Sequence, residues 1–109
     1  MISKEDIEKE KETYVKKMSE NLQGLRNSLH LSQTELGEYA SVSRQTISEI
    51  ERGEYHMSWN QFTSFYMVFG ANKASHEVLE ETGLGIQNLA PVIVVTKSKN
   101  CETESIQEN

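Results

Sequence analysis

Arg44, Gln45, Thr46, Ser48, Glu49 and Arg52 fall within nine residues and bring guanidinium, amide, hydroxyl and carboxylate groups close together. Their chemistry is that of hydrogen bonding rather than of bond making. On a helix, at about 100° per residue, Ile47 and Ile50 mark an inward stripe, and Gln45, Ser48, Glu49 and Arg52 fall on the side facing away from it. Arg44 and Thr46 flank that polar face near the helix N-terminus, where free N–H groups and the helix dipole favour a phosphate. Glu51 instead projects near the apolar stripe, where a lone carboxylate is costly. A cation is expected beside it, and Arg26 on the preceding helix is the candidate.

The elements that must hold these residues are signalled by side-chain spacing. Ser32 and Glu35 form an S-x-x-E capping box, with Leu31 and Leu36 at the positions of a hydrophobic staple. Ser43 repeats the N-cap, with Val42 and Ile47 as its staple, and Gly53 stands just past the C-terminal end. The pattern predicts helices over 33–40 and 44–52. Only residues 41–43 join them, a connection short enough to mark a helix-turn-helix unit. Such a unit leaves the outer face of its second helix free to enter the major groove of DNA.

The chain resembles the phage repressor and Cro-like (XRE-type) helix-turn-helix family over residues 22–70. The likeness rests on Leu25-Arg26, Leu31-Ser32-Gln33, Glu35-Leu36, the run from Val42 to Ser48, and Ile50-Glu51-Arg52-Gly53. The resemblance implies a compact all-α domain of five helices. It also implies that Gln33 bonds a phosphate and braces the second helix, that Gln45, Thr46, Ser48 and Glu49 touch bases, and that Arg26 and Glu51 form a buried ion pair. Two positions depart from the family pattern. Gly37 replaces the usual alanine, at about 1 kcal/mol of helix propensity. Ser41 replaces the turn glycine, so a positive φ there carries a strain of roughly 1 kcal/mol.

At 109 residues, with 36% hydrophobic and 26% charged content, the chain is expected to form one globular domain. No apolar run approaches the roughly 18 residues of a membrane span, and the N-terminus lacks the apolar centre of a signal peptide, so a cytoplasmic protein is expected. Cys101 is the only cysteine, and His30, His56 and His76 are scattered. No nucleophile and base pair, carboxylate pair, phosphate loop or metal-ligand spacing stands out, so neither catalysis nor a cofactor nor a metal is expected. The formal charge is -6, and residues 18–57 carry only Arg26, Arg44 and Arg52 against six glutamates. Binding to a duplex must then rest on specific hydrogen bonds, helix N-termini and dimerisation more than on a basic surface.

Residues 3–30 read as one helix capped by Ser3, with Ile7, Tyr14, Val15, Met18, Leu22, Leu25 and Leu29 at threes and fours. Residues 1–17 extend beyond what the family's first helix needs. Either this extension reaches DNA or a second chain through Lys4, Lys9, Lys11, Lys16 and Lys17, or it packs Tyr14 and Val15 on its own domain. Intermixed charges favour the packing alternative. Ser58 and Gln61 cap a helix carrying Trp59, Phe62, Phe65, Tyr66 and Phe69, an aromatic stripe read as core. A short helix is expected from Ser75 to Glu81, closed by Gly83. Val92-Ile93-Val94-Val95 marks a short C-terminal β-strand over 89–96 that needs a partner, and residues 97–109 read as a disordered tail.

The expected architecture is thus a repressor-like helix-turn-helix domain over 18–88, an N-terminal helical extension and a possible dimerisation strand. The expected function is a sequence-specific regulator of double-stranded DNA, a repressor acting as a homodimer on an inverted repeat. Gln45 is assigned to adenine N6 and N7, Arg44 to guanine or phosphate, and Glu49 to cytosine N4. Ser48 and Thr46 assist at base edges, and Gln33, Ser43 and Arg52 position the backbone. The rival reading is an antitoxin-like module that binds another protein through its C-terminal segment.

Overall fold

Four helices begin on a serine whose hydroxyl accepts the amide three residues on: Ser3, Ser32, Ser43 and Ser58, at 3.0 to 3.1 Å. Each bond satisfies one of the N-terminal donors that a helix cannot pair internally. At Ser32 and Ser58 the capping box is complete, because Glu35 and Gln61 reach back to the serine amides. The computed structural model describes residues 3–86 and 89. Within them the elements are α1 (Lys4–Ser28), α2 (Gln33–Ala40), α3 (Arg44–Glu51), α4 (Trp59–Gly70) and α5 (Lys73–Glu81). The fold is all-α. The strand expected over 89–96 and the tail over 97–109 lie outside the described residues, Leu89 excepted.

The fifth helix starts two residues earlier than the sequence suggests, and the reason is a side-chain exchange. Asn72 occupies the N-cap but turns its amide back to the Val68 carbonyl at 2.7 Å, so it gives no side-chain cap. Ser75 is fully buried and donates to the Phe69 carbonyl at 2.7 Å, which ties the first turn of α5 to the end of α4. A serine engaged this way sits inside a helix rather than before it.

The core forms where α1 crosses α3, α4 and α5. Met18, Leu22 and Leu25 of α1 meet Leu36, Ile47, Ile50, Phe62, Phe65 and Phe69, all essentially inaccessible, with Leu79, Leu84 and Leu89 closing the far side. Each such side chain contributes about 1.5–3 kcal/mol through burial. Tyr14 and Val15 join this core, so the N-terminal part of α1 packs on its own domain without a break in the helix. The aromatic stripe of α4 stacks internally, Trp59 on Phe62 at 4.7 Å and Phe62 on Tyr66 at 5.7 Å. It is structural: Tyr66 donates to the Leu84 carbonyl at 2.8 Å and fixes the chain beyond α5.

Candidate nucleic-acid interface

The angle between α2 and α3 is set by a glycine contact and a left-handed serine. A Cβ at Gly37 would collide with the Val42 carbonyl oxygen, so the close approach requires glycine. Ser41 takes φ 58° and ψ 43°, and both its amide and that of Val42 at 3.0 Å donate to the Gly37 carbonyl. The turn reverses in three residues because it ends α2 and presents Ser43 at once as the cap of α3. Gly53, at φ 76°, closes α3 with a Schellman pair, Glu54 amide to Glu49 carbonyl at 2.8 Å and Gly53 amide to Ile50 carbonyl at 3.0 Å.

The inner side of α3 is held by packing and by charge. Ile47 and Ile50 are buried, and Glu51 beside them receives Arg26 Nε at 2.8 Å and Nη2 at 3.0 Å. Both side chains are mostly shielded, at 12% and 7% exposure, so breaking this two-pronged pair from one side costs far more than breaking a surface one. The hydrogen bond to Glu51 raises the Arg26 pKa against the opposing effect of burial. Arg26 Nη1 also donates to the Leu31 carbonyl at 3.0 Å, and Gln33 Nε2 donates to Glu51 Oε1 at 3.0 Å. One carboxylate therefore joins α1, α2 and α3.

The outer side is polar and bonded largely within itself. Arg44, Gln45 and Arg52 are exposed, and Thr46, Ser48 and Glu49 are half-buried. Gln45 Nε2 donates to Glu49 Oε2 at 3.3 Å, the Ser43 hydroxyl donates to Thr46 Oγ1 at 2.9 Å, and Arg52 Nη1 donates to Ser48 Oγ. Arg52 Nε also donates to Glu54 Oε1 at 3.1 Å. The eight residues singled out from the sequence thus divide into two groups. Seven lie on α3 or at its two ends, while Gln33 commits its amide nitrogen to Glu51 beneath the helix.

The Helix-turn-helix family model matches residues 22–58, from the last two turns of α1 to the cap of α4. Residues 22–58, about a third of the chain, are thus similar to an XRE-type helix-turn-helix, which supports a DNA-binding regulator of that kind. No curated protein and no solved structure matches the chain.

In this helix-turn-helix the described residues contain no group of three or more His, Cys, Asp or Glu side chains arranged to hold a metal ion. No helix among them is long and apolar enough to cross a membrane. The α1 lysines do not form one surface: Lys4, Lys9 and Lys16 are exposed, whereas Lys11 sits over the Trp59 ring at 5.0 Å. Sequence reasoning missed Glu54 as the partner of Arg52. The signal was present in Gly53, because a Schellman closure folds the next residue back toward the helix end. It also missed His30, whose φ of 57° ends α1 in the same way without a glycine.

Proposed function

We propose that the helix-turn-helix acts as a sequence-specific repressor, two copies of the chain reading the half-sites of an inverted repeat in double-stranded DNA. The observation that supports this most is α3 itself: it is clamped from behind by Ile47, Ile50 and the Arg26–Glu51–Gln33 cluster, with Gln45, Ser48 and Glu49 on the opposite side. A rigid helix with a hydrogen-bonding outer face suits the major groove. Gln45 pairs with adenine N6 and N7, Glu49 accepts from cytosine N4, and Arg44 takes guanine or a phosphate. Ser48 and Thr46 contribute at base edges. Ser43, Gln33 and Arg52 set the register against the phosphates. Residues 18–88 form the DNA-binding unit, residues 1–17 buttress it, and the protein works in the cytoplasm.

One helix of this length reads only a few base pairs, so useful specificity calls for two. The test is selection of bound duplexes from a random pool with the full chain. The expected outcome is an inverted repeat whose half-sites lie about one helical turn apart. A pool that shows no enrichment at low ionic strength sinks the reading.

A further inference from the structure

The outer face of α3 presents oxygen atoms that lack a donor. A carboxylate only accepts hydrogen bonds, so the 3.3 Å contact between Gln45 Nε2 and Glu49 Oε2 turns the Gln45 amide nitrogen toward Glu49. Among the described residues, Gln45 Oε1 and Glu49 Oε1 have no hydrogen-bond partner. Ser48 on the same side already accepts from Arg52, and Thr46 Oγ1 accepts from Ser43. The bond to Glu49 uses one of the two hydrogens on Gln45 Nε2 and leaves the other available.

In the major groove only adenine N6 and cytosine N4 donate hydrogen bonds, whereas guanine N7 and O6, adenine N7 and thymine O4 accept. A carboxylate oxygen set against guanine or thymine therefore meets another acceptor, and its lost hydration is replaced only by an amine. Each amine has two hydrogens, one held in the base pair and one in the groove. A methyl group on that nitrogen in a paired base takes the groove position. It removes the donor and puts carbon where the accepting oxygen must sit.

We propose that Gln45 and Glu49 together recognise unmethylated adenine and cytosine amines on neighbouring base pairs, so that methylation of either amino group excludes the protein from its operator. The inference rests on the base-reading role proposed above for α3 and adds what regulates it. Residues four apart on a helix carry Cβ atoms about 5–6 Å from each other, and successive bases rise by about 3.4 Å, so two long side chains bonded to one another reach adjacent steps. Gln45 Oε1 accepts from adenine N6 while the remaining Nε2 hydrogen goes to N7, and Glu49 Oε1 accepts from cytosine N4. The bond between the two side chains survives both contacts.

The test takes the full chain and the duplex selected from the random pool, remade with N6-methyladenine or N4-methylcytosine at each adenine and cytosine of one half-site in turn. Titration of the unaltered protein is expected to show the dissociation constant rising about tenfold or more at one adenine and at a neighbouring cytosine. Methyl groups outside the half-site should leave it unchanged. Gln45→Ala removes the oxygen that the adenine methyl displaces, so that variant should bind plain and adenine-methylated duplexes alike. Glu49→Ala should do the same for the cytosine. Indifference to a methyl at every position, or a half-site without neighbouring adenine and cytosine amines, overturns the proposal and leaves sequence-specific binding standing. Sensitivity that both variants retain overturns it too, because other groups then read the amines. A pool without enrichment removes the base-reading role itself, and this proposal with it.

Discussion

Glu51 holds Arg26 through both carboxylate oxygens, at 2.8 and 3.0 Å, and so couples the last turn of α3 to α1. Breaking the pair from one side leaves a shielded guanidinium without its counter-charge. Glu51→Ala is expected to cost about 3–5 kcal/mol in denaturant unfolding. The double variant Arg26→Met, Glu51→Leu should recover most of that loss. A double variant as unstable as the single one would show that the charged pair and its bonds to Gln33 and the Leu31 carbonyl, rather than the volume it fills, hold the helices together.

The turn makes two predictions of opposite sign. Gly37→Ala improves helix propensity yet forces a methyl group onto the Val42 carbonyl, so it should destabilise by about 1–3 kcal/mol. Ser41→Gly relieves a left-handed serine and should stabilise by about 0.5 kcal/mol after its extra unfolded-state entropy is counted. Thermal melts of the two variants decide both.

At the outer face, Gln45→Ala should weaken binding to the selected operator by about 1–3 kcal/mol and relax preference at one base pair. Competition among single-base operator variants reads this directly. Equal loss on every sequence would assign Gln45 to the backbone instead.

Arg52 is engaged by Glu54 at 3.1 Å and by Ser48 in the free domain. Glu54→Gln removes the competing carboxylate and leaves the guanidinium for a phosphate. Affinity should rise uniformly across sequences, and the slope of log affinity against log salt should steepen by about one. An unchanged slope would mean that Arg52 stays away from the duplex backbone.

Tyr66 supplies the pH dependence. Burial, and then the charge of Glu80, raise its pKa, while its hydroxyl donates to the Leu84 carbonyl at 2.8 Å. A raised folded-state value means that the protonated phenol stabilises the fold below about pH 10, and that this stabilisation is lost as pH climbs through the folded value. Tyr66→Phe should cost about 1 kcal/mol near neutrality and flatten the alkaline decline. Tyr14, raised by burial and by Glu10, retains part of that decline in the variant.

Much of this architecture is legible because it is local. A serine followed three residues later by glutamate or glutamine and flanked by a staple pair marks the helix starts at Ser32 and Ser58, whereas the same spacing at Ser48 and Glu51, without those flanks, lies inside α3. The inward stripe of Ile47 and Ile50 follows from helical period alone. What is not legible depends on contacts between elements. Ser75 sits within its helix because the Phe69 carbonyl lies within reach, which no spacing rule announces. Glu54 meets Arg52 only after the chain has turned at Gly53. The grooves that expose Tyr39, Met67 and Ile86 arise where α2, α4 and the chain after α5 come side by side, three stretches that look unremarkable apart.

The bonds that occupy Gln45, Ser48 and Arg52 run to Glu49, Arg52 and Glu54, all of them on or just beyond α3, and none reaches the hydrophobic interior. On the proposed reading, the letters that choose a DNA sequence are therefore written on a separate page from those that specify the scaffold. Rewriting them is expected to alter preference while the melting temperature stays nearly constant, which makes the outer face of α3 a cassette for retargeting and leaves its inner face, with Ile47, Ile50 and Glu51, as the keystone.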